Sequence, residues 1–260
     1  MADYPYDILG NIAIVKFKEE TKKSEKIKFG NQLLNQLPNI KTILEKSDKI
    51  KGRLRTHKTT YIAGENTKTA IYKENACLFK FDVDETYFSP RLSNERKEVA
   101  MQVKKKEVVG VWFAGVAPFS IVIAKLAKPK KVYSIEINKK ASEYAKENVK
   151  LNKLTEIVEI IQGDIKKVTP KLRERKIQFN RIVMARPNLK DTFLEQAFEV
   201  IKKGGIINYY GFGDDHEVIK TQIETEAKKA KKKIKINLIK KAGDIAPFKF
   251  RWRVDFKVLN

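Results

Sequence analysis

The chain has 260 residues, 42% of them hydrophobic, so it can bury a core and is not a disordered chain. Its 55 lysines and arginines against 32 acidic residues give a formal charge of +23, which favours a nucleic-acid partner over a merely solvated basic surface. With one cysteine and two histidines, the chain can form neither a disulfide framework nor a Cys-based or multi-histidine metal site. The sequence shows no signal peptide and no apolar stretch long enough to span a bilayer. We therefore expect no metal, no membrane contact and a cytoplasmic location.

Residues 1–90 are predicted to form a small α+β domain. Its predicted elements are strands at 11–17, 59–64, 69–72 and 77–81, a helix at 31–37, and a short apolar run at 40–44. We expect the strands to form a small antiparallel sheet that packs with one or two helices. A helix-like stretch at 91–104 links this domain to the rest of the chain.

Residues 91–260 show strands that alternate with helices. The predicted strands are 108–113, 131–136, 157–162, 181–184 and 206–210, the predicted helices are 118–126, 139–152, 191–202 and 218–232, and a closing hairpin pair is predicted at 235–240 and 251–258. Strands alternating with helices of 10 to 15 residues predict an α/β fold with a doubly wound, mostly parallel sheet.

Suggestive residues follow three successive strands of the predicted sheet, namely Gly115, Glu136 and Asp164. In such a sheet, ligands bind beyond the carboxyl ends of the strands. Each residue also has a plain structural explanation, since Gly115 can simply end a strand, Glu136 can be a solvated loop acid and Asp164 can cap the next helix. Their coincidence favours a nucleoside-bearing cofactor. Because the chain lacks both a Gly-rich pyrophosphate loop and a P-loop, S-adenosylmethionine is the cofactor that fits best.

Several motifs then resemble one known family. They are residues 87–92 (Tyr-Phe-Ser-Pro-Arg-Leu), 95–96 (Glu-Arg), 113–120 (Phe-Ala-Gly-Val-Ala-Pro-Phe-Ser), 62–65 (Ile-Ala-Gly-Glu) and 73–75 (Lys-Glu-Asn). In combination they resemble the archaeal and eukaryotic tRNA (guanine-37 N1)-methyltransferases, a family that includes the archaeal wyosine-pathway (4-demethylwyosine C7) methyltransferases. The resemblance implies a class I methyltransferase domain at 91–260, preceded at 1–90 by a small domain that contacts RNA and the target base.

The same resemblance implies roles for individual residues. Glu95 would be the general base that takes the N1 proton of guanine, and Arg55 would stabilise the charge that develops on O6. S-adenosylmethionine would be bound by Tyr87, Arg96, Phe113, Ala114, Gly115, Val116, Glu136, Ile137, Asp164, Ile165 and Pro187. The tRNA, held as its anticodon stem-loop by a monomeric protein, would be contacted by Arg53, Lys73, Asn75 and Arg186. From the residues alone, a solvated pair of Glu95 with Arg96 is the preferred interpretation, and Arg55 could equally contact a phosphate.

Two positions depart from the family pattern and keep several activities open. Residues 185–187 are Ala-Arg-Pro where the family has Asn-Leu-Pro, and Trp112 stands where many relatives have Asp. The lost Asn amide and the added arginine leave room for a modified base. Alternatives to N1 methylation of guanine are therefore C7 methylation of 4-demethylwyosine, alone or as a second activity, aminocarboxypropyl transfer from the same donor, and a basic RNA-binding module without catalysis.

Aromatic and basic residues outside these motifs are candidates for RNA contacts. The target base must leave its stack, and the aromatic residues that could receive it are Tyr87, Phe88, Tyr209, Tyr210 and Phe212. Residues 228–235 form a lysine-rich run that either follows phosphates or is a solvated helix end. The alternation at residues 251–253 predicts that Arg251 and Arg253 share one outward face of a strand.

Overall fold

A computed structural model describes residues 4–47, 56 and 58–260. The chain divides into two compact units, Met1–Pro90 and Arg91–Asn260. Each unit has its own apolar core, one beneath the first sheet and the other around the large sheet of the second unit. The two units are therefore described separately.

The first unit is a mixed α/β arrangement. Its elements are β1 (Tyr6–Leu9), β2 (Ile12–Val15), α1 (Lys23–Gln36), β3 (Thr42–Lys46), β4 (Thr59–Gly64), β5 (Thr69–Glu74) and β6 (Cys77–Asp82). The sheet has the order β1-β2-β3-β4, and β5 and β6 form a separate hairpin. The expectation of one antiparallel sheet is wrong, because β2 and β3 pair in parallel. A parallel pair needs a crossover connection, and α1 is that connection between β2 and β3. The helix begins at Lys23, eight positions before the predicted start.

The turn between β1 and β2 contacts the β5–β6 hairpin. Gly10 has a φ of +61°, and a Cβ there would lie 1.9 Å from the carbonyl oxygen of Ile71, so only glycine fits. The neighbouring Asn11 accepts a hydrogen bond through Oδ1 from the backbone N–H of Ile71 at 2.7 Å. These contacts attach the β5–β6 hairpin to the four-stranded sheet.

The second unit alternates strands and helices. Its elements are α2 (Ser93–Gln102), β7 (Val108–Trp112), α3 (Pro118–Ala127), β8 (Lys131–Glu136), α4 (Lys139–Leu151), β9 (Val158–Gln162), α5 (Ile165–Glu174), β10 (Phe179–Met184), α6 (Leu194–Val200), β11 (Ile201–Gly213), α7 (His216–Lys229), β12 (Ile234–Ala246) and β13 (Lys249–Val258). A short 3₁₀ turn, Pro90–Leu92, precedes α2. In the part of the chain that the structure describes, no helix is both long and apolar enough to cross a membrane.

These strands form one seven-stranded sheet with the order β12-β13-β11-β10-β7-β8-β9. The five strands from β11 to β9 in this order run parallel, and β13 is antiparallel to both of its neighbours. The predicted fold class is therefore confirmed. The strand order reverses between β7 and β10, and ligands in such sheets bind beyond the carboxyl ends at this point.

The junction of α6 with β11 and the closing hairpin differ from their predicted extents. The predicted helix at 191–202 ends at Val200, because Ile201 already pairs with Phe179 of β10 as the first residue of β11. The register then shifts so that Arg181 pairs with Ile206, and Gly204, at a φ of +77°, lies within this irregularity. The closing hairpin is also longer than predicted, since β12 and β13 together extend from 234 to 258.

Candidate active site

The loop after β7 is tightly coiled at the switch point. Phe113, Gly115 and Ala117 all have positive φ, at +58°, +56° and +67°. The backbone N–H of Ala114 donates to the carbonyl of Ile135 in β8 at 3.0 Å, which holds the loop against the neighbouring strand. The side chains of Ala114 and Val116 are buried, so these two residues can present only backbone to a ligand in the loop. The loop thus brings the backbone of residues 113–117 to the carboxyl edge of the sheet just before α3 begins.

Glu136 at the end of β8 joins this loop directly. Its Oε2 accepts a hydrogen bond from the N–H of Gly115, and its Oε1 accepts one from the N–H of Asn138, both at 2.7 Å. Burial raises the pKa of the Glu136 carboxyl group, although hydrogen bonds from the backbone of Asn138, Gly115 and Ile137 act in the opposite direction. The interpretation of Glu136 as a solvated loop acid is wrong, because the residue is only 9% exposed.

The third strand end lies next to Glu136. The backbone N–H of Gly163 donates to the carbonyl of Glu136 at 2.8 Å, so Gly115, Glu136 and the 163–164 segment meet at one edge of the sheet. Asp164 caps α5 by accepting a hydrogen bond from Lys166 N at 3.0 Å, so the interpretation of Asp164 as a helix cap is confirmed. Ile165 is buried in the core, whereas Ile137 is half-buried. The contacts of Asp164 and Ile165 with adenine stay predictions.

The segment 185–187 follows β10 and is held by Arg186. This side chain is 4% exposed, and its guanidinium donates to Tyr209 Oη at 2.9 Å and to the carbonyls of Pro187 and Leu189 at 3.0 to 3.2 Å. It also lies 5.3 Å from the centre of the Tyr209 ring. Arg186 therefore fixes the loop that carries Pro187, and its predicted contact with substrate stays a prediction.

Glu95 lies near the start of α2, where three donors from distant strands contact it. Tyr210 Oη of β11 donates to Oε2 at 3.0 Å, Arg253 of β13 donates to the same oxygen at 2.7 Å, and Lys240 Nζ of β12 lies 2.8 Å from Oε1. Burial and the charge of Glu95 raise the pKa of Tyr210 well above its ordinary value, so its hydroxyl stays protonated and can donate. Sequence reasoning gave none of these three residues a contact with Glu95.

Two further observations place Glu95 next to the coiled loop. The ring of Tyr210 lies 5.9 Å from that of Phe119 in the first turn of α3, and the Arg96 guanidinium lies 6.0 Å from the same Phe119 ring. Glu95 and Arg96 are 6% and 1% exposed, so their interpretation as a solvated pair is wrong. We call Glu95, Tyr210, Lys240 and Arg253 the Glu95 cluster.

Other predicted site residues lie in the first unit or outside the described residues. Lys73 is exposed on β5, and Asn75 has a φ of +46° in the turn between β5 and β6. Tyr87 is half-buried in the segment that follows β6. Arg53 and Arg55 lie outside the described residues. The roles of these five residues stay predictions.

The structure assigns most of the candidate aromatic residues to the core. Phe88 is buried among Tyr72, Phe79 and Phe81, and Tyr209 and Tyr210 are at most 1% exposed. The prediction of an outward face for Arg253 is also wrong, because Arg253 is 1% exposed and its Nε lies 3.2 Å from Oδ1 of the buried Asp255. Only the half-buried Tyr87 and Phe212 stay candidates for contact with an unstacked base.

A set of exposed lysines lies at the amino edge of the large sheet, opposite the coiled loop. They precede the parallel strands or lie at the far ends of β12 and β13: Lys104, Lys105, Lys106, Lys128, Lys130, Lys153, Lys176, Lys203, Lys231, Lys233 and Lys257. The lysine-rich run at 228–235 belongs to this edge, and both interpretations of it stay open. Much of the unit's positive charge therefore lies away from the candidate site.

Comparison with known proteins agrees with this arrangement. The family model described as the TRM5/TYW2 methyltransferase domain matches residues 70–239, and the TYW2 N-terminal domain model matches residues 3–67. The chain belongs to the TRM5/TYW2 methyltransferase family. The family resemblance inferred from the sequence motifs is thus confirmed.

Several relatives in this family match nearly the whole chain. The tRNA (guanine(37)-N(1))-methyltransferase Trm5b of Pyrococcus abyssi is 38% identical, over 97% of this chain and 74% of that protein. The tRNA 4-demethylwyosine(37)-methyltransferase Taw21 of Saccharolobus solfataricus is 32% identical, over 96% of this chain and 92% of that protein. The crystal structure of Methanocaldococcus jannaschii TYW2 in complex with AdoMet has a TM-score of 0.76 and 27% identity, covering 98% of this chain and all of that one.

Proposed function

We propose that this member of the TRM5/TYW2 family is an S-adenosylmethionine-dependent tRNA methyltransferase that acts at position 37, on N1 of guanine. The observation that carries the proposal is the hydrogen-bonded convergence of Gly115, Glu136 and Gly163 at the switch point, with the Glu95 cluster beside it. The protein would act as a monomer in the cytoplasm and hold the anticodon stem-loop.

The residues at the switch point suit an adenosyl cofactor. The two oxygens of an ionised carboxylate together accept about four hydrogen bonds. Glu136 accepts the backbone N–H groups of Gly115 and Asn138 and a further backbone hydrogen bond from Ile137, so one position is left for a ribose hydroxyl. The segment 113–117 and Pro187 would line the rest of the pocket. When bound, S-adenosylmethionine supplies an electrophilic methyl group on a positively charged sulfur.

In this proposal, Glu95 would act as the general base. Neutral guanine carries a proton on N1, and that proton must leave before N1 becomes a good nucleophile. Among the described residues, Oε1 of Glu95 contacts only Lys240, so it keeps a position for this proton. The other three members of the cluster hold the carboxylate in place beside the first turn of α3. Arg55 would then stabilise the negative charge on O6, while Arg53, Lys73 and Asn75 would contact the RNA.

A second candidate activity is C7 methylation of 4-demethylwyosine at the same position. The observation that favours it is the match of residues 3–67 to the TYW2 N-terminal domain, together with the Taw21 relative. In this chain, Arg186 replaces the Leu of the family's Asn-Leu-Pro motif and is committed to the loop. Ala185 offers no amide to the base edge, which suits a bulkier tricyclic base.

The proposal is tested with tRNA transcripts that carry G37 or A37, with labelled S-adenosylmethionine and with mass spectrometry of the product nucleoside. We expect 1-methylguanosine from the G37 transcript alone. General-base catalysis contributes about 10²- to 10⁴-fold to a rate, so Glu95→Gln should lower turnover by about 100-fold or more while the dissociation constant for S-adenosylmethionine is unchanged.

The matched control for this experiment is Glu98→Gln. Glu98 lies on the same helix and also contacts Lys240 and Arg253, but it is half-exposed. We expect its turnover to stay within about threefold of the wild type, because exposed ion pairs contribute little. Unchanged turnover in Glu95→Gln would remove Glu95 as the base, and methylation of both transcripts or of neither would refute the N1 assignment.

A further inference from the structure

The hairpin of β12 and β13, accompanied by the end of β11, extends beyond the last residue of β10 at the carboxyl edge of the large sheet. Met184, the last residue of β10, is level with Tyr209 of β11 and Val254 of β13. β13 begins at Lys249, five positions before Val254, which is about 17 Å at the usual rise of a strand. Residues 241–251 thus form an arm on the same edge of the sheet as the coiled loop and the Glu95 cluster.

The tip of this arm presents an aromatic ring in an unusual way. Ala246 pairs with Lys249, so Pro247 and Phe248 make the turn. Phe248 has a φ of +57°, a conformation that bulky residues rarely adopt and that turns ordinarily assign to Gly or Asn. Its side chain is 83% exposed, so no packing within the described protein compensates for this strain. Strained backbone of this kind is found preferentially at functional sites.

The arm that carries Phe248 is rich in cations. Lys249 is exposed beside it, Lys241 Nζ lies 3.7 Å from the centre of the Phe250 ring, and the Arg251 guanidinium lies 5.4 Å from that of Phe212. Residues 241–251 contain these three cations and one acidic residue, Asp244, which pairs with Lys241. A single exposed ring among cations has the composition of a surface that stacks a nucleobase and neutralises its phosphates.

We propose that this arm binds the RNA substrate and that Phe248 stacks on an unpaired base near the target nucleotide. The inference rests on the proposed function, because it takes the substrate to be a tRNA whose anticodon loop supplies unpaired bases. An aromatic ring stacks on any base, since every base has a flat π face. The arm would therefore add affinity without adding sequence specificity.

The test separates stacking from a structural role by using Phe248→Gly. Glycine tolerates positive φ, so this variant should melt at the same temperature as the wild type or higher. Stacking on one base accounts for about 5- to 100-fold in affinity, so the same variant should bind a G37 tRNA transcript weaker by a factor in that range. Phe248→Trp should keep binding within about threefold. The dissociation constant for S-adenosylmethionine should not change in either variant.

The matched control is Ile245→Ala, which removes an exposed apolar side chain from the same arm. Its tRNA affinity should stay near that of the wild type. An unchanged tRNA affinity in Phe248→Gly would overturn the proposal. Loss of binding to phosphatidylserine vesicles in that variant, with tRNA binding intact, would assign the ring to a membrane instead and would also overturn it.

The outcomes for the arm and for the proposed function are distinguishable. If the wild-type protein methylates G37 and Phe248→Gly binds tRNA equally well, only the role of the arm fails. If the protein transfers no methyl group but binds tRNA in a manner that depends on Phe248, the proposed function fails and the arm is supported.

Discussion

Replacing Glu136 by Gln changes the residue that joins two strand ends of the candidate pocket. In the structure, each carboxylate oxygen accepts one backbone N–H, from Gly115 and Asn138, at 2.7 Å. Glutamine keeps one accepting oxygen and turns an NH₂ group toward one of these two donors. Hydrogen bonds to charged groups contribute about 1.5–3 kcal/mol each, so loss of the expected ribose contact weakens binding by about that amount. That energy corresponds to a dissociation constant about 10- to 100-fold higher.

Isothermal titration of S-adenosylmethionine into the wild type and Glu136→Gln measures this effect. The control is Glu143→Gln, because Glu143 lies half-exposed on α4 in a surface pair with Lys140. We expect the control to bind the cofactor as the wild type does. The reasoning is refuted if Glu136→Gln also binds it with unchanged affinity while the protein stays folded.

The raised pKa of Glu136 gives this site a pH dependence of defined sign. Because burial raises the pKa of the folded state, the cofactor-free protein gains stability from this group as the pH falls from neutral through that pKa. Cofactor binding uses the ionised form, so S-adenosylmethionine affinity should fall over the same interval. Between about pH 8 and 4.5, titration calorimetry should show falling S-adenosylmethionine affinity, and melting curves of the cofactor-free protein should show the added stability. The Glu136→Gln variant should show neither of these two contributions.

Two further substitutions test the buried contacts. Arg253→Met leaves the buried carboxylates of Glu95 and Asp255 without this cation. Because breaking a buried ion pair typically lowers the free energy of unfolding by about 3–5 kcal/mol, we expect a loss of that size. Denaturant unfolding that shows no loss of stability would contradict the buried cluster. Arg186→Lys keeps the charge but cannot reach all the acceptors of the guanidinium, so we expect a loss of about 2–4 kcal/mol and lower turnover as the segment 185–187 shifts. A melting temperature and turnover equal to those of the wild type would show that Arg186 does not hold the loop.

The convergence of Gly115, Glu136 and the 163–164 segment was predictable because each of these parts is local in sequence. Gly115, Glu136 and Asp164 each follow a strand that its own residues indicate, and parallel strands bring their carboxyl ends to one edge. The hydrogen bonds from Gly115 and Gly163 to Glu136 agree with that reasoning. The details were less predictable, since Asp164 caps α5 and Ile165 joins the core.

The order of strands in the first unit was not predictable in the same way. The residues indicated which segments are extended, but the direction of β3 relative to β2 depends on how the chain returns to the sheet. That return is made by α1, whose first turns carry few apolar residues and gave no clear periodic signal. The predicted antiparallel sheet failed for this reason.

By itself, the sequence determined the alternation of strands and helices, the family, and the strand ends at which the candidate cofactor site lies, because these features depend on patterns within short segments. The tertiary structure alone decided what surrounds Glu95, since Tyr210 and Arg253 lie 115 and 158 residues further along the chain. It also decided that Arg253 points inward and that Phe248 stands at the tip of a projecting arm. Such contacts follow from the order in which strands pack side by side, which no local pattern records.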